Sequence, residues 1–141
     1  MNYFKNTNNK IYAYDDEQVA QGYGSDLASI TVAEKEAIVN PPKTQAELNE
    51  IARQDAKTTR DNALEANTYT LADGSVYQVR PKDLPNFQTA IQLGVDTDWV
   101  LANNSVRLTT VAELQTILNA GVTQAKTIYD TYMVTLKKIG V

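Results

Sequence analysis

Apolar and polar positions alternate along this chain in two rhythms. Near the start, Tyr12 and Tyr14 flank Ala13 with the period of two that marks a half-buried strand. Tyr3 and Phe4 lie on the other side of the turn cluster Asn6-Thr7-Asn8-Asn9, and Ile11 follows it, so residues 1–14 predict a β-hairpin. Tyr69-Thr70-Leu71 and Val76-Tyr77-Gln78-Val79 predict a second hairpin. Its Asp73-Gly74 pair is read as a tight turn with positive φ angles, and Pro81 stops the ladder. A third runs from Asp98-Trp99-Val100-Leu101-Ala102, through a turn at Asn103-Asn104, to Ser105-Val106-Arg107-Leu108-Thr109.

The other rhythm is helical, and three Thr-x-x-Glu boxes punctuate it. In such a box the threonine hydroxyl accepts from the glutamate amide, and the glutamate reaches back to the threonine amide. Thr31-Val32-Ala33-Glu34 opens a short helix over Val32 to Val39, which Pro41-Pro42 ends. Thr44-Gln45-Ala46-Glu47 opens a longer one, from Gln45 to about Ala66. Its apolar positions are sparse, and its middle from Arg53 to Asp61 is mostly polar, so it reads as a connector packed on one face or docked on a partner. Asp83 is placed to cap a helix over Leu84–Leu93, with Pro85 in the first turn and Gly94 closing it.

Thr110-Val111-Ala112-Glu113 opens the strongest helical pattern. Val111, Leu114, Leu118, Gly121, Ala125, Ile128, Tyr132 and Ile139 recur at steps of three and four. A helix of about 29 residues is about 43 Å long, more than a small domain covers. Either Gly121 breaks or bends it, or its last turns project to a partner. Lys137 and Lys138 suit its negative pole.

The fold class is therefore α+β. Residues 1–42 read as a β-rich module with a short helix, 43–66 as a polar linker helix, and 67–141 as a hairpin–helix–hairpin–long-helix domain. No internal repeat stands out beyond that alternation.

Composition narrows the chemistry. The chain's 141 residues include no histidine and no cysteine. That removes histidine bases, zinc ribbons, iron–sulfur clusters, thiol nucleophiles and disulfides. A net charge of −4 is a poor match for a phosphate backbone, so nucleic acid is not an expected partner. No stretch reaches the roughly 20 apolar residues that span a bilayer. The first residues lack the apolar core of a signal peptide, which points to the cytosol.

The acidic run Asp15-Asp16-Glu17 reads as a solvated turn. Gly22-Tyr23-Gly24 is a flexible loop without the rest of a nucleotide fingerprint. Asp96 and Asp98 lack the glycine and closing glutamate of a calcium loop. No serine has a lysine at the spacing of a catalytic pair, and the chain is expected to be neither an enzyme nor a holder of metal, cofactor or small-molecule substrate. Trp99, the lone tryptophan, is either a ligand platform or a core anchor. Tyr129 and Tyr132, three apart on the last helix, suit either a protein interface or the rim of a core.

The opening Tyr3-Phe4-Lys5, then Asn9-Lys10-Ile11-Tyr12-Ala13-Tyr14-Asp15-Asp16, Ile30-Thr31-Val32-Ala33-Glu34-Lys35-Glu36-Ala37 and Asn40-Pro41-Pro42, resembles tail fibre assembly proteins of tailed bacteriophages. The stretch from Arg60 through Asp73-Gly74, Asp83, Phe87, Ala90-Ile91 and Trp99 to Leu108-Thr109-Thr110-Val111-Ala112-Glu113-Leu114 and the last helix resembles a phage tail-region domain of unassigned function. The resemblance implies a non-enzymatic chaperone or adaptor for a trimeric fibre, or a structural component of the tail or fibre tip. The implied partner is the tail fibre protein or a second copy of the chain, met in the host cytoplasm during assembly or in the virion tail. Trp99, Tyr129 and Tyr132 are the residues expected to touch it.

Overall fold

A computed structural model describes residues 1–140 and shows a mixed α+β protein. Its contacts divide it into two compact units, Met1–Glu47 and the remainder from Leu48.

In the first unit, β1 (Asn2–Lys5) pairs antiparallel with β2 (Ile11–Tyr14) on one side and β3 (Ala28–Ile30) on the other. Phe4 and Ile30 are its buried apolar side chains. The Phe4 ring leaves no room beneath it. A Cβ on Gly24, where φ is +81°, would lie 3.2 Å from three ring atoms. Between β2 and β3 runs α1 (Asp16–Ala20), so the acidic run is solvent-exposed as expected but starts a helix rather than forming a turn. Asp15 accepts from the Gln18 amide at 2.8 Å while Gln18 accepts from the Asp15 amide at 3.0 Å, which makes it a fourth capping box. Helix α2 (Val32–Val39) starts on the Thr31 box as expected.

In the second unit, α3 (Gln45–Glu65, its first turn in the first unit) leads into the hairpin β4 (Thr68–Thr70) and β5 (Val76–Gln78). Then follow α4 (Leu84–Leu93), the hairpin β6 (Thr97–Val100) and β7 (Val106–Thr109), and α5 (Val111–Ile139). All three hairpins of the chain turn the same way. Leu71 N–H donates to Ser75 O at 2.9 Å, Gly74 N–H donates to Leu71 O at 2.9 Å, and Gly74 has φ +87°. Asn6–Lys10 and Leu101–Ser105 repeat the pattern, with Asn9 at φ 58° and Asn104 at φ 64° in the left-handed place. This is a three-residue loop ending in one αL residue, not the two-residue turn that Asp73-Gly74 suggested. Asp73 keeps a negative φ and accepts from the Ser75 amide at 2.9 Å.

That shared turn exposes an internal repeat that hydropathy alone does not show. Leu71-Ala72-Asp73-Gly74-Ser75-Val76 returns as Leu101-Ala102-Asn103-Asn104-Ser105-Val106, each followed by a helix. The two hairpins are joined by the Ala102 amide donating to Val76 O at 2.9 Å. Between hairpins and helices lies one core: Tyr77, Val79, Phe87, Ala90, Leu101, Leu114 and Ile117. Burying such side chains contributes about 1.5–3 kcal/mol each, which is what holds these short strands together.

Two further expectations change. Asp83 stands at the start of α4 but makes no side-chain cap. Its carboxylate instead accepts from Arg80 Nε at 2.6 Å and from the Arg80 amide at 3.0 Å. Gly121 does not break α5, which runs unbroken to an αL cap at Gly140. It is buried where the helix crosses Val79 and Leu84: a Cβ there would come within 2.9 Å of Val79 Cβ and 3.0 Å of Leu84 Cδ2.

Candidate functional site

Two places in the second unit gather the side chains that function would use. One is a charged cluster that ties β7 to the second hairpin's turn and to α5. Arg107 donates to Glu113 at 2.8 and 3.0 Å, to Asp73 at 3.0 Å and to the Tyr77 hydroxyl at 3.1 Å. Tyr77 and the buried Thr109 share a hydroxyl–hydroxyl bond of 2.8 Å. The Arg107 guanidinium, then the Thr110 amide, hold the Glu113 carboxyl at about 2. Arg107 itself is pushed well above its ordinary value, chiefly by Glu113. Every charge in the cluster already meets its opposite, so it works as a clamp at the start of α5.

The sign of its pH response follows. Glu113 binds its proton more weakly in the folded protein than in the unfolded chain, whose carboxyl sits near 4.5. Its contribution is therefore complete above about pH 4.5 and is lost as pH falls toward 2. Glu113→Gln is expected to lower the urea midpoint at pH 7 and to lie closer to the parent at pH 2.5. Equal gaps at both pH values would show that the clamp does not stabilise the fold through this charge.

The other place is an open groove of about 530 Å³ between α3 and the second half of α5. Ala52, Ala56, Thr59 and Ala63, together with the charged Asp55 and Arg60, form the α3 wall. Ile128, Thr131, Tyr132, Thr135 and Ile139 face them from α5. The threonines of α5 have no free hydrogen to offer. Thr123, Thr127, Thr131 and Thr135 stand four apart, and each hydroxyl donates to the carbonyl one turn back, at 2.9, 3.2, 3.0 and 3.0 Å. With the hydroxyls turned to their own backbone, the row presents methyl groups. One turn before Ile128, the buried Gln124 Oε1 has no hydrogen-bond partner among the described residues.

Arg60 bridges the two helices. Its guanidinium carbon sits 4.6 Å from the Tyr132 ring centre and 5.8 Å from that of Tyr129. Asp61 accepts from the same guanidinium at 2.6 and 2.8 Å. Tyr132 lines the groove, and Tyr129 beside it is 46% exposed. Trp99 does not join them. It is half-buried against the core, its ring stacked on Phe87 with centres 4.2 Å apart. The two tyrosines thus share one site and the tryptophan lies elsewhere. Arg60 and the small-residue wall were not singled out from the sequence. The four-residue spacing of Ala52 with Ala56, Thr59 with Ala63, and the threonine row was the signal available.

Among the described residues no cluster of acidic side chains is arranged to hold a metal ion, and no helix is long and apolar enough to cross a membrane. A family model described as a domain of unknown function, DUF4376, matches residues 47–139, so both the clamp and the groove fall inside it. No curated protein and no solved structure matches the chain.

Proposed function

We infer that this chain, which belongs to the DUF4376 family of domains of unknown function, is a tail fibre assembly protein of a tailed bacteriophage. It acts as a non-enzymatic adaptor that covers part of a fibre chain until the fibre trimer closes. The observation that carries this reading is the groove between α3 and α5. It is lined mainly by small and apolar side chains, among them Ala52, Ala56, Ala63, Ile128 and Ile139, with the charged Asp55 and Arg60 on the α3 wall. A fibre buries its apolar faces only on trimerisation, so each monomer exposes surface that needs temporary cover. The small side chains of Ala52, Ala56 and Thr131 leave room for the large apolar side chains of such a segment. The resemblance of the first 42 residues to fibre assembly proteins supports a fibre protein as the partner.

Co-expression with the fibre protein encoded beside this chain, followed by capture through a tag on this chain, tests the reading. The expected result is a soluble fibre protein in the captured fraction that is insoluble when made alone. Ala56→Arg, which fills the groove without entering the core, is expected to reduce that recovery at least tenfold. Capture unaffected by Ala56→Arg would move the docking site elsewhere. Absence of any complex, with this chain found at fixed copy number in finished particles, would favour a structural tail component.

A further inference from the structure

The face of α5 turned away from the groove carries a second pattern, which the adaptor role does not use. Gly121, Ile128, Tyr132 and Ile139 form the inward stripe of the helix. On the opposite side Val122, Lys126, Asp130 and Val134 follow one another at four-residue steps, forming one ridge. All four are open to solvent: Val122 is 49% and Val134 is 52% exposed. The side chains of Lys126 and Asp130 are 73% and 62% exposed. Met133, beside the ridge, is 49% exposed. Two valines and a methionine on the outer face of an amphipathic helix are not explained by the chain's own packing.

The order of the ridge reads as its own complement when reversed. Laid antiparallel on a second copy about a two-fold axis at Ile128, Val122 meets Val134, and Lys126 meets Asp130. By symmetry each of those contacts occurs twice. The flanking positions also agree: Thr123 falls opposite Met133 and Asn119 opposite Lys137, so no like charges meet. The same ridge laid parallel and in register would set Lys126 on Lys126 and Asp130 on Asp130.

We propose that the Val122–Lys126–Asp130–Val134 ridge of α5 is a homodimer interface, in which two copies of this chain pack antiparallel through it. Within one chain Lys126 already pairs with Asp130, so in the dimer each charge is shared between its own helix and the partner's. The ridge and the groove lie on different sides of α5, and dimerisation leaves the groove open.

Charge exchange tests this without disturbing the core. Sedimentation equilibrium of the full chain is expected to report a dimer. Lys126→Asp gives a ridge with two acids, and Asp130→Lys gives one with two bases. Each is expected to weaken self-association by about a hundredfold, because both symmetric contacts become repulsive. Mixing the two single variants is expected to restore a dimer, since each acid of one chain then meets a base of the other. Loss of the bond within one helix does not predict that rescue, because neither chain in the mixture regains it. Equal far-ultraviolet circular dichroism of the variants confirms that the helix is intact. A monomeric parent overturns the proposal, as does a dimer insensitive to both substitutions or single variants that do not recombine on mixing.

Discussion

Phe87→Ala is expected to destabilise the second unit by about 3–5 kcal/mol, which corresponds to a fall in Tm of roughly 15–30 °C. Phe87 is fully buried at the centre of the core that joins both hairpins to α4 and α5. Its removal deletes the packing of a whole ring and leaves a cavity that neighbours fixed by strands and helices fill only in part. It also deletes the ring stack with Trp99, at 4.2 Å and an interplanar angle of 19°. Since small domains have only about 5–15 kcal/mol of total stability, the loss is a large share. Thermal unfolding followed by circular dichroism reads the shift. Fluorescence gives an independent check, because Trp99 is the single tryptophan and its emission should move to longer wavelength as water reaches it. A Tm within about 3 °C of the parent would contradict the placement of Phe87 at the centre.

The second large effect is expected at Gly121, where two principles oppose each other. In an exposed helix interior, replacing glycine by alanine stabilises by about 1 kcal/mol. Here the new Cβ would stand 2.9 Å from Val79 Cβ and 3.0 Å from Leu84 Cδ2. The leucine tip can rotate away, but Val79 Cβ sits on the backbone beside the end of β5, so the overlap is relieved only by moving α5. Overpacking of this kind costs about 1–3 kcal/mol, so the helix gain is cancelled or reversed in Gly121→Ala. Gly121→Leu adds three more carbons at the same point and is expected to lose about 3 kcal/mol or more. Urea unfolding of the two variants orders them: parent at least as stable as alanine, and both above leucine. An alanine variant about 1 kcal/mol more stable than the parent would show that Gly121 is only a weak point of the helix.

What was legible in the sequence was mostly local. Thr31, Thr44 and Thr110 each make the hydrogen bonds of the box read from their spacing, and α2, α3 and α5 begin at the residues those boxes predict. The mixed α+β class follows from the same signals. Misreadings arise where a feature is short or is completed across space. Asp15–Gln18 obeys the same capping logic, but α1 is only five residues long and has no apolar period, so its acids look like a solvated run. Strand β3 has three residues and exists by pairing with β1, a contact that no local pattern encodes. Gly121 looks like a helix breaker until Val79 and Leu84 are seen against it.

The candidate site divides in the same way. Tyr129 and Tyr132 are visible as a spaced pair on α5. Arg60, which reaches from α3 to those rings, is distant in sequence and gives no sign of its role there. The repeated hairpin was hidden for a different reason. Its two copies share turn residues, whereas strand residues such as Tyr77 and Arg107 differ in kind, so hydropathy does not align them. The turn geometry does.

The central claim is that a partner segment occupies the groove between α3 and α5. Hydrogen exchange of the full chain, alone and in the co-expressed fibre complex, locates that contact most directly. Added protection is expected over residues 52–63 and 127–139, with little change around the buried core positions Tyr77, Val79, Phe87 and Ala90. Protection confined to other segments, or none at all in a complex that remains intact, would contradict the account.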